Sequence, residues 1–144
     1  MPIKRIVVPI NGTAESFKAL ELTAEIARLH KAEVSLLLVT YFKAETDVHY
    51  KYLTWLSTPL TGSVSRYAEA VFQRAIELLP TDINVKRYHL SGHAAVKILE
   101  FTKDNDIDLI IMGCRKLNLF SSILHGSTSR QVLEKSTCPV IIIK

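Results

Sequence analysis

The residues with the clearest chemical potential lie in one stretch, Met112-Gly113-Cys114-Arg115-Lys116-Leu117 through His125-Gly126-Ser127-Thr128-Ser129. A strand is expected to end at Gly113, and a helix to open at Gly126-Ser127, thirteen residues later. Glycine lets a backbone approach an anion closely. The unpaired N–H groups and the dipole at a helix start favour negative charge. Ser127 and Ser129 add hydroxyl donors, and Arg115 and Lys116 supply cations. Such a set suits a polyphosphate. Glycines at strand ends and helix starts also serve structure alone, so an anion site and plain structural punctuation both stand at this point.

Charge points to the same stretch. The chain has 144 residues and a net charge of +4. Residues 113–144 hold Arg115, Lys116, Arg130, Lys135 and Lys144 against Glu134 alone, while residues 1–112 are balanced. A solvated basic surface or an anion site would each account for this. Nucleic acid is not the expected partner, because the tail has no aromatic residue beyond Phe120 to stack on bases.

Other reactive residues point to no catalytic machinery. There is no Gly-x-Ser-x-Gly elbow and no His-Glu-x-x-His pair. His89 and His93 are expected on a strand and beyond Gly92, not on one helical face, so no metal site is expected from them. Asp104, Asp106 and Asp108 read as a turn, since the glycine and glutamate of a calcium loop do not follow. Cys114 and Cys138 cannot make a disulfide framework. Cys114 is expected as a bystander thiol beside Arg115, and His125 as a loop residue.

The elements that must position these residues follow from hydrophobic period. Ile6–Ile10, Val34–Val39, Leu109–Met112 and Val140–Ile143 are short continuous apolar runs, as expected of strands covered on both faces. Ile83–His89 is more polar and reads as an edge strand. Apolar residues at helical spacing mark 14–30, 63–79, 92–103 and 127–136. Pro80 stops the second of these, Ser91 or Gly92 is expected to cap the third, and Thr128 with Gln131 reads as a capping box for the fourth. Alternation of this kind implies an α/β fold, an open parallel sheet with helices on both faces. A ligand then sits at the carboxyl ends of the strands.

Pieces in this order and spacing resemble the universal stress protein family over the whole chain. They are Ile6-Val7-Val8-Pro9-Ile10-Asn11-Gly12, Val34–Val39, Gly92–Leu99, Asp108–Gly113, Gly126–Ser129 and Cys138–Ile143. The resemblance implies one domain over residues 1–144, adenine-nucleotide α-hydrolase-like, with a five-stranded sheet of order 3-2-1-4-5. One branch of the family binds ATP through glycine, two residues, glycine, nine residues, then Gly-Ser or Gly-Thr. Here Gly113, the nine residues Leu117–His125, and Gly126-Ser127 keep the pattern, while Lys116 stands at the middle glycine. Asn11 stands where that branch usually has aspartate. The resemblance puts Pro9, Asn11 and Val39 around adenine and ribose. It puts Gly113, Arg115, Gly126, Ser127, Thr128 and Ser129 around the phosphates, with Lys116 beside them. A side chain at 116 costs about 1–2 kcal/mol if the position needs left-handed backbone. A lysine against phosphate returns a similar amount. Metal involvement is left open.

The resulting expectation is a dimeric signalling or stress-response domain that binds ATP or AMP as a conformational ligand, without being an enzyme. Slow ATP hydrolysis stays open. The alternative is a nucleotide-independent interaction dimer with a degenerate anion site. The bound nucleotide would change 41–61 and 117–125, and through them an unidentified protein partner. Segment 41–61 carries Tyr41, Phe42, Tyr50, Tyr52 and Trp55 and reads either as a lid packing its aromatics on the sheet edge or as an adaptable loop near the ligand mouth. Val140–Ile143, if it forms an edge, is expected to pair with its copy in a second subunit. Hydrophobic content of 48% and charged content of 22% are globular values. No apolar run approaches the roughly 18 residues of a membrane span. The start, Met1-Pro2-Ile3-Lys4-Arg5, lacks the apolar core of a signal peptide. A cytoplasmic location is therefore expected, with no membrane partner.

Overall fold

The computed structural model describes residues 2–40, 64–114 and 128–144. Its strands are β1 (Arg5–Ile10), β2 (Glu33–Thr40), β3 (Val85–Ser91), β4 (Leu109–Gly113) and β5 (Val140–Ile143). Its helices are α1 (Ala14–Phe17), α2 (Ala19–His30), α3 (Val64–Leu78), α4 (Ala94–Asp104) and α5 (Thr128–Lys135). The strands form a sheet of order β3-β2-β1-β4-β5 with every neighbouring pair parallel, as expected.

Alternate residues of a strand point to opposite faces, and here each face meets helices. Ile6, Val8, Val34, Leu36 and Leu38 pack with Leu20 and Ala24 of α2 and Val71 and Phe72 of α3. Val7, Leu37, Ile110 and Met112 pack with Ala95, Ile98 and Phe101 of α4 and Val132 of α5. Two covered faces explain the unbroken apolar runs of the inner strands. The two edges differ. β3 exposes Lys86, Arg87 and His89, whereas the apolar residues of β5 are all half-buried. Val140–Ile143 thus departs from the fully covered strand its composition suggests, because it has a strand neighbour on one side only among the described residues.

The structure corrects three helix boundaries. The helix expected over 14–30 breaks at Lys18, whose N–H bonds to the carbonyl of Glu15 at 3.3 Å, a tighter three-residue step. The helix expected from 92 starts at Ala94 with His93 at its cap position and no side-chain cap. Gly92 instead turns the chain at φ 139° and donates its N–H to the Thr40 carbonyl at 2.9 Å. Thr128 already lies in the first turn of α5, so it is not the cap residue of a capping box.

The aspartate triple runs from the last residue of α4, Asp104, through the turn expected there. Asp106 adopts a left-handed φ of 49°, and Asp108 Oδ2 accepts from the backbone N–H of Lys4 at 2.8 Å and of Arg5 at 2.9 Å. Asp108 therefore fastens β1 to β4 at their amino ends. No group of three or more possible metal ligands occurs among the described residues. Nor is any described helix long and apolar enough to cross a membrane.

Candidate functional site

In the order β3-β2-β1-β4-β5 the chain reverses direction of growth between β1 and β4, and ligand crevices form at such a point. The sequence of β1 sets how far its ladder with β4 runs. The Lys4 carbonyl accepts from Glu33 on the β2 side, and the Arg5 carbonyl accepts from Asp108 on the β4 side. Strand alternation then turns the backbone groups of Val7 and Pro9 toward β4. Proline has no N–H to give. Accordingly, β1 pairs with β2 from Arg5 to Ile10, but with β4 only at Ile6 and Val7. Beyond that point the β1–β4 ladder ends. Pro9 is buried, and Val39 is half-buried against the α4–α5 face of the sheet.

Past β1 the chain makes a tightly bonded turn. Asn11 Oδ1 accepts from the Thr13 N–H at 3.1 Å and from Thr13 Oγ1 at 2.6 Å. Gly12 carries the reversal at φ 82°. Thr13 caps α1, its Oγ1 accepting from the Ser16 N–H at 3.2 Å. The Ser16 hydroxyl donates to the Thr13 carbonyl at 2.8 Å, and the Asn11 N–H donates to Ser16 Oγ at 3.3 Å. The Asn11 carbonyl accepts from the hydroxyl of Tyr67, a buried residue of α3. Burial pushes the Tyr67 phenol up to about 12. Asn11 itself is exposed.

Gly113 lies against this turn. A Cβ at Gly113 would stand 2.6 Å from the carbonyl carbon of Glu15 and 3.0 Å from Ser16 Cα, and closer still to the Glu15 oxygen. The space a side chain would need is thus occupied by the backbone of α1. The missing side chain at 113 lets α1 settle on the end of β4, a structural use that the sequence also allowed. The next residue, Cys114, meets the first turn of α5 through Ser129, whose Oγ lies 3.6 Å from Cys114 Sγ. Pro9, Asn11, Gly113, Thr128 and Ser129 therefore all belong to elements that converge on the carboxyl side of β1 and β4. Arg115, Lys116, Gly126 and Ser127 lie outside the described residues, as do the segments 41–61 and 117–125 of the sequence reading.

Three residues of this region were not foreseen. Thr13 and Ser16 have cap spacing immediately before an apolar helical run, a signal that could have been read. Tyr67 lies three residues after Val64 and four before Val71, so its burial was legible, but the partner of its hydroxyl was not. His89 sits on β3, away from His93 at the start of α4, as expected, and its Nε2 is 2.8 Å from Thr40 Oγ1. Partial desolvation lowers the pKa of this exposed histidine. Cys138 is held by Ser136, whose Oγ accepts from the Cys138 N–H at 3.2 Å.

Comparison with known proteins agrees with this architecture. A profile of the universal stress protein family matches residues 2–144. The universal stress protein YxiE of Bacillus subtilis is 26% identical over 97% of this chain and 98% of its own length. A universal stress protein crystallised in complex with cAMP superposes with a TM-score of 0.70 at 17% identity, covering 99% of this chain and 98% of that one. The universal stress protein of Archaeoglobus fulgidus in complex with dAMP gives a TM-score of 0.63 at 20% identity, with 100% of both chains covered. A profile match along nearly the whole sequence, on a parallel sheet of the expected order, establishes that this chain belongs to the universal stress protein family.

Proposed function

We propose that the chain binds an adenine nucleotide, ATP or AMP, in the crevice between the carboxyl ends of β1 and β4. The nucleotide acts as a conformational ligand in a dimeric, cytoplasmic stress-response or signalling module rather than as a substrate. The observation that carries this reading is the end of the β1–β4 ladder after Val7, with the bonded Asn11–Ser16 turn following β1. The cAMP and dAMP complexes of two fold neighbours support it. Half-buried Val39 offers apolar surface for a base, while buried Pro9 contributes by the N–H that it lacks. Gly113, Thr128 and Ser129 lie nearer the phosphates, with Arg115, Lys116, Gly126 and Ser127 supplying charge and donors from the adjoining segments. Isothermal titration of nucleotide-stripped protein with ATP and AMP tests the reading. Heat of binding is expected, and no heat and no change in melting temperature at millimolar ligand would sink it.

The two-subunit part rests on the contrast of sheet edges. The β3 edge carries charges that discourage pairing, whereas β5 offers half-buried Val140, Ile141, Ile142 and Ile143. Pairing of β5 with its copy about a two-fold axis closes that edge. A second reading, an interaction dimer with no nucleotide, is favoured by one observation: Gly113 has a structural reason to be glycine without any ligand. Under that reading Lys116→Gly creates ATP binding in a chain that otherwise has none.

A further inference from the structure

We propose that the amino ends of β1, β2 and β3 form a second binding site, for a free basic α-amino acid. It lies at the opposite end of the sheet from the nucleotide crevice and does not depend on it. Strand alternation puts Arg5 and Val7 of β1, Glu33, Ser35 and Leu37 of β2, and Lys86 and Tyr88 of β3 on one face. Their register gives the rows Arg5–Glu33, Val7–Ser35–Lys86 and Leu37–Tyr88. α4 covers the end of this face near Val7 and Leu37, where Phe101 meets the Tyr88 ring edge-on at 4.8 Å. The helix then ends at Asp104, and Asp106 turns the chain at φ 49°. Beyond the helix end the face forms a cleft of about 260 Å³, with Asp104, Asp106 and Ile107 along one wall.

One buried group in this cleft lacks a partner. Among the described residues, the hydroxyls of the buried Thr13, Ser16, Thr23, Thr40 and Thr102 are all hydrogen-bonded. Ser35 is also buried, at 4% exposure, yet its hydroxyl has no hydrogen bond to any described residue. No fully enclosed side-chain N or O atom lacks a partner among the described residues, so the Ser35 oxygen opens on the cleft it lines. A buried hydroxyl left unpaired costs free energy, and a ligand atom in the cleft relieves that cost.

The charges of the cleft specify the ligand. Lys86 pairs with Glu33 at 3.1 Å, so these two cancel. Arg5, Asp104 and Asp106 remain, and none of the three forms an ion pair with a described residue. The carboxyl end of α4 adds partial negative charge beside the aspartates. The complement of one cation and two anions is one anion and two cations, which is the charge set of free lysine or arginine. The ligand carboxylate meets Arg5 and the Ser35 hydroxyl, and its two cations meet Asp104 and Asp106. Tyr88 gives the side-chain cation an aromatic surface. A phosphate ligand would face a surplus of carboxylates. The volume is below the ~300 Å³ at which drug-sized pockets begin, which suits a small metabolite.

The test titrates L-arginine hydrochloride into isotope-labelled wild type and follows proton–nitrogen spectra. Saturable shifts are expected at the amides of Ser35, Lys86, Tyr88 and residues 104–107, with a Kd of about 10 mM or tighter. Absence of saturation overturns the proposal, as do the same shifts with sodium chloride at equal ionic strength. Agmatine, which is arginine without its carboxylate, is expected to bind about threefold more weakly, the size of an exposed charge contact. Arg5→Gln should weaken L-arginine by a similar factor and leave agmatine unchanged, a pairing that general damage to the fold does not produce. Asp106→Asn keeps the turn, since asparagine also adopts left-handed backbone, and should weaken both ligands about threefold. Ser35→Ala removes a hydroxyl that bonds to no described residue. Without ligand its melting temperature should stay within about 2 °C of wild type, while L-arginine binds more weakly. Unchanged affinity for L-arginine in all three variants overturns the proposal.

Discussion

Replacing Gly113 by alanine tests whether the end of β4 is a seat for α1. Two effects compete. Alanine restricts the unfolded chain and suits a strand better than glycine, which stabilises by about 0.5–1 kcal/mol. Against this, the added Cβ would lie 2.6 Å from the Glu15 carbonyl carbon and 3.0 Å from Ser16 Cα. These are backbone atoms, held by the bonds among Asn11, Thr13 and Ser16, so they cannot rotate aside as a side-chain tip would. Overpacking against such a surface costs about 3 kcal/mol, the upper part of the usual range. The overlap wins, with a net loss of about 2 kcal/mol. For 144 residues the entropy of unfolding is about 0.3 kcal/mol/K, so the melting temperature should fall by about 7 °C. Urea unfolding followed by far-UV circular dichroism gives the free energy, and a thermal scan gives the second value. Gly92→Ala is a useful contrast. There the added Cβ meets the flexible end of Lys97 at 2.9 Å, and the cost comes from the φ of 139° instead. A Gly113→Ala protein that melts within about 2 °C of wild type would refute the seat.

Other outcomes follow from the same geometry. Tyr67→Phe leaves the Asn11 carbonyl without its donor and should cost about 1–2 kcal/mol in urea unfolding. The Tyr67 pKa rises from 10.0 to about 12 on folding, so its neutral form is favoured in the fold. That stability is complete below pH 10 and disappears as pH climbs toward 12, a loss that the phenylalanine variant should lack. For His89, partial desolvation lowers the pKa below 6.5, so its small contribution is present above pH 6.5 and is lost on acidification. His89→Gln should therefore lose less stability between pH 7 and 5 than wild type; equal losses would speak against it. On β5, the carbonyls of Pro139 and Ile143 accept from β4, which turns the Ile142 N–H outward. Ile142→Pro removes that donor without touching the β4 ladder, so light scattering should find monomers, and a persistent dimer would exclude pairing through this strand.

The sheet was legible because its evidence is local. Runs such as Val34–Val39 and the stripe Val64, Ala68, Val71, Phe72 and Ala75 declare their period within a few residues, and strict alternation leaves little choice of architecture. The order of the strands came from the family resemblance, since nothing in a run of isoleucines says which neighbour it has. The break at Lys18 escaped notice because apolar spacing continues through it unchanged. Gly113 illustrates the limit at the site. A glycine needed for an anion and a glycine needed for a backbone contact look alike in sequence, and only the position of Glu15, ninety-eight residues earlier, separates them.

The seam between β1 and β4 is sewn at one end and unsewn at the other. Asp108 stitches the amino ends together, and Pro9 leaves out the stitch that would close the carboxyl ends. On one side of the seam lie β1, β2 and β3, and on the other β4 and β5. A ligand at the unsewn end would therefore sit where a group of three strands meets a group of two, with Asp108 holding the opposite corner. The smaller group has the apolar strand β5 as its rim, the margin that the proposed two-fold pairing would cover.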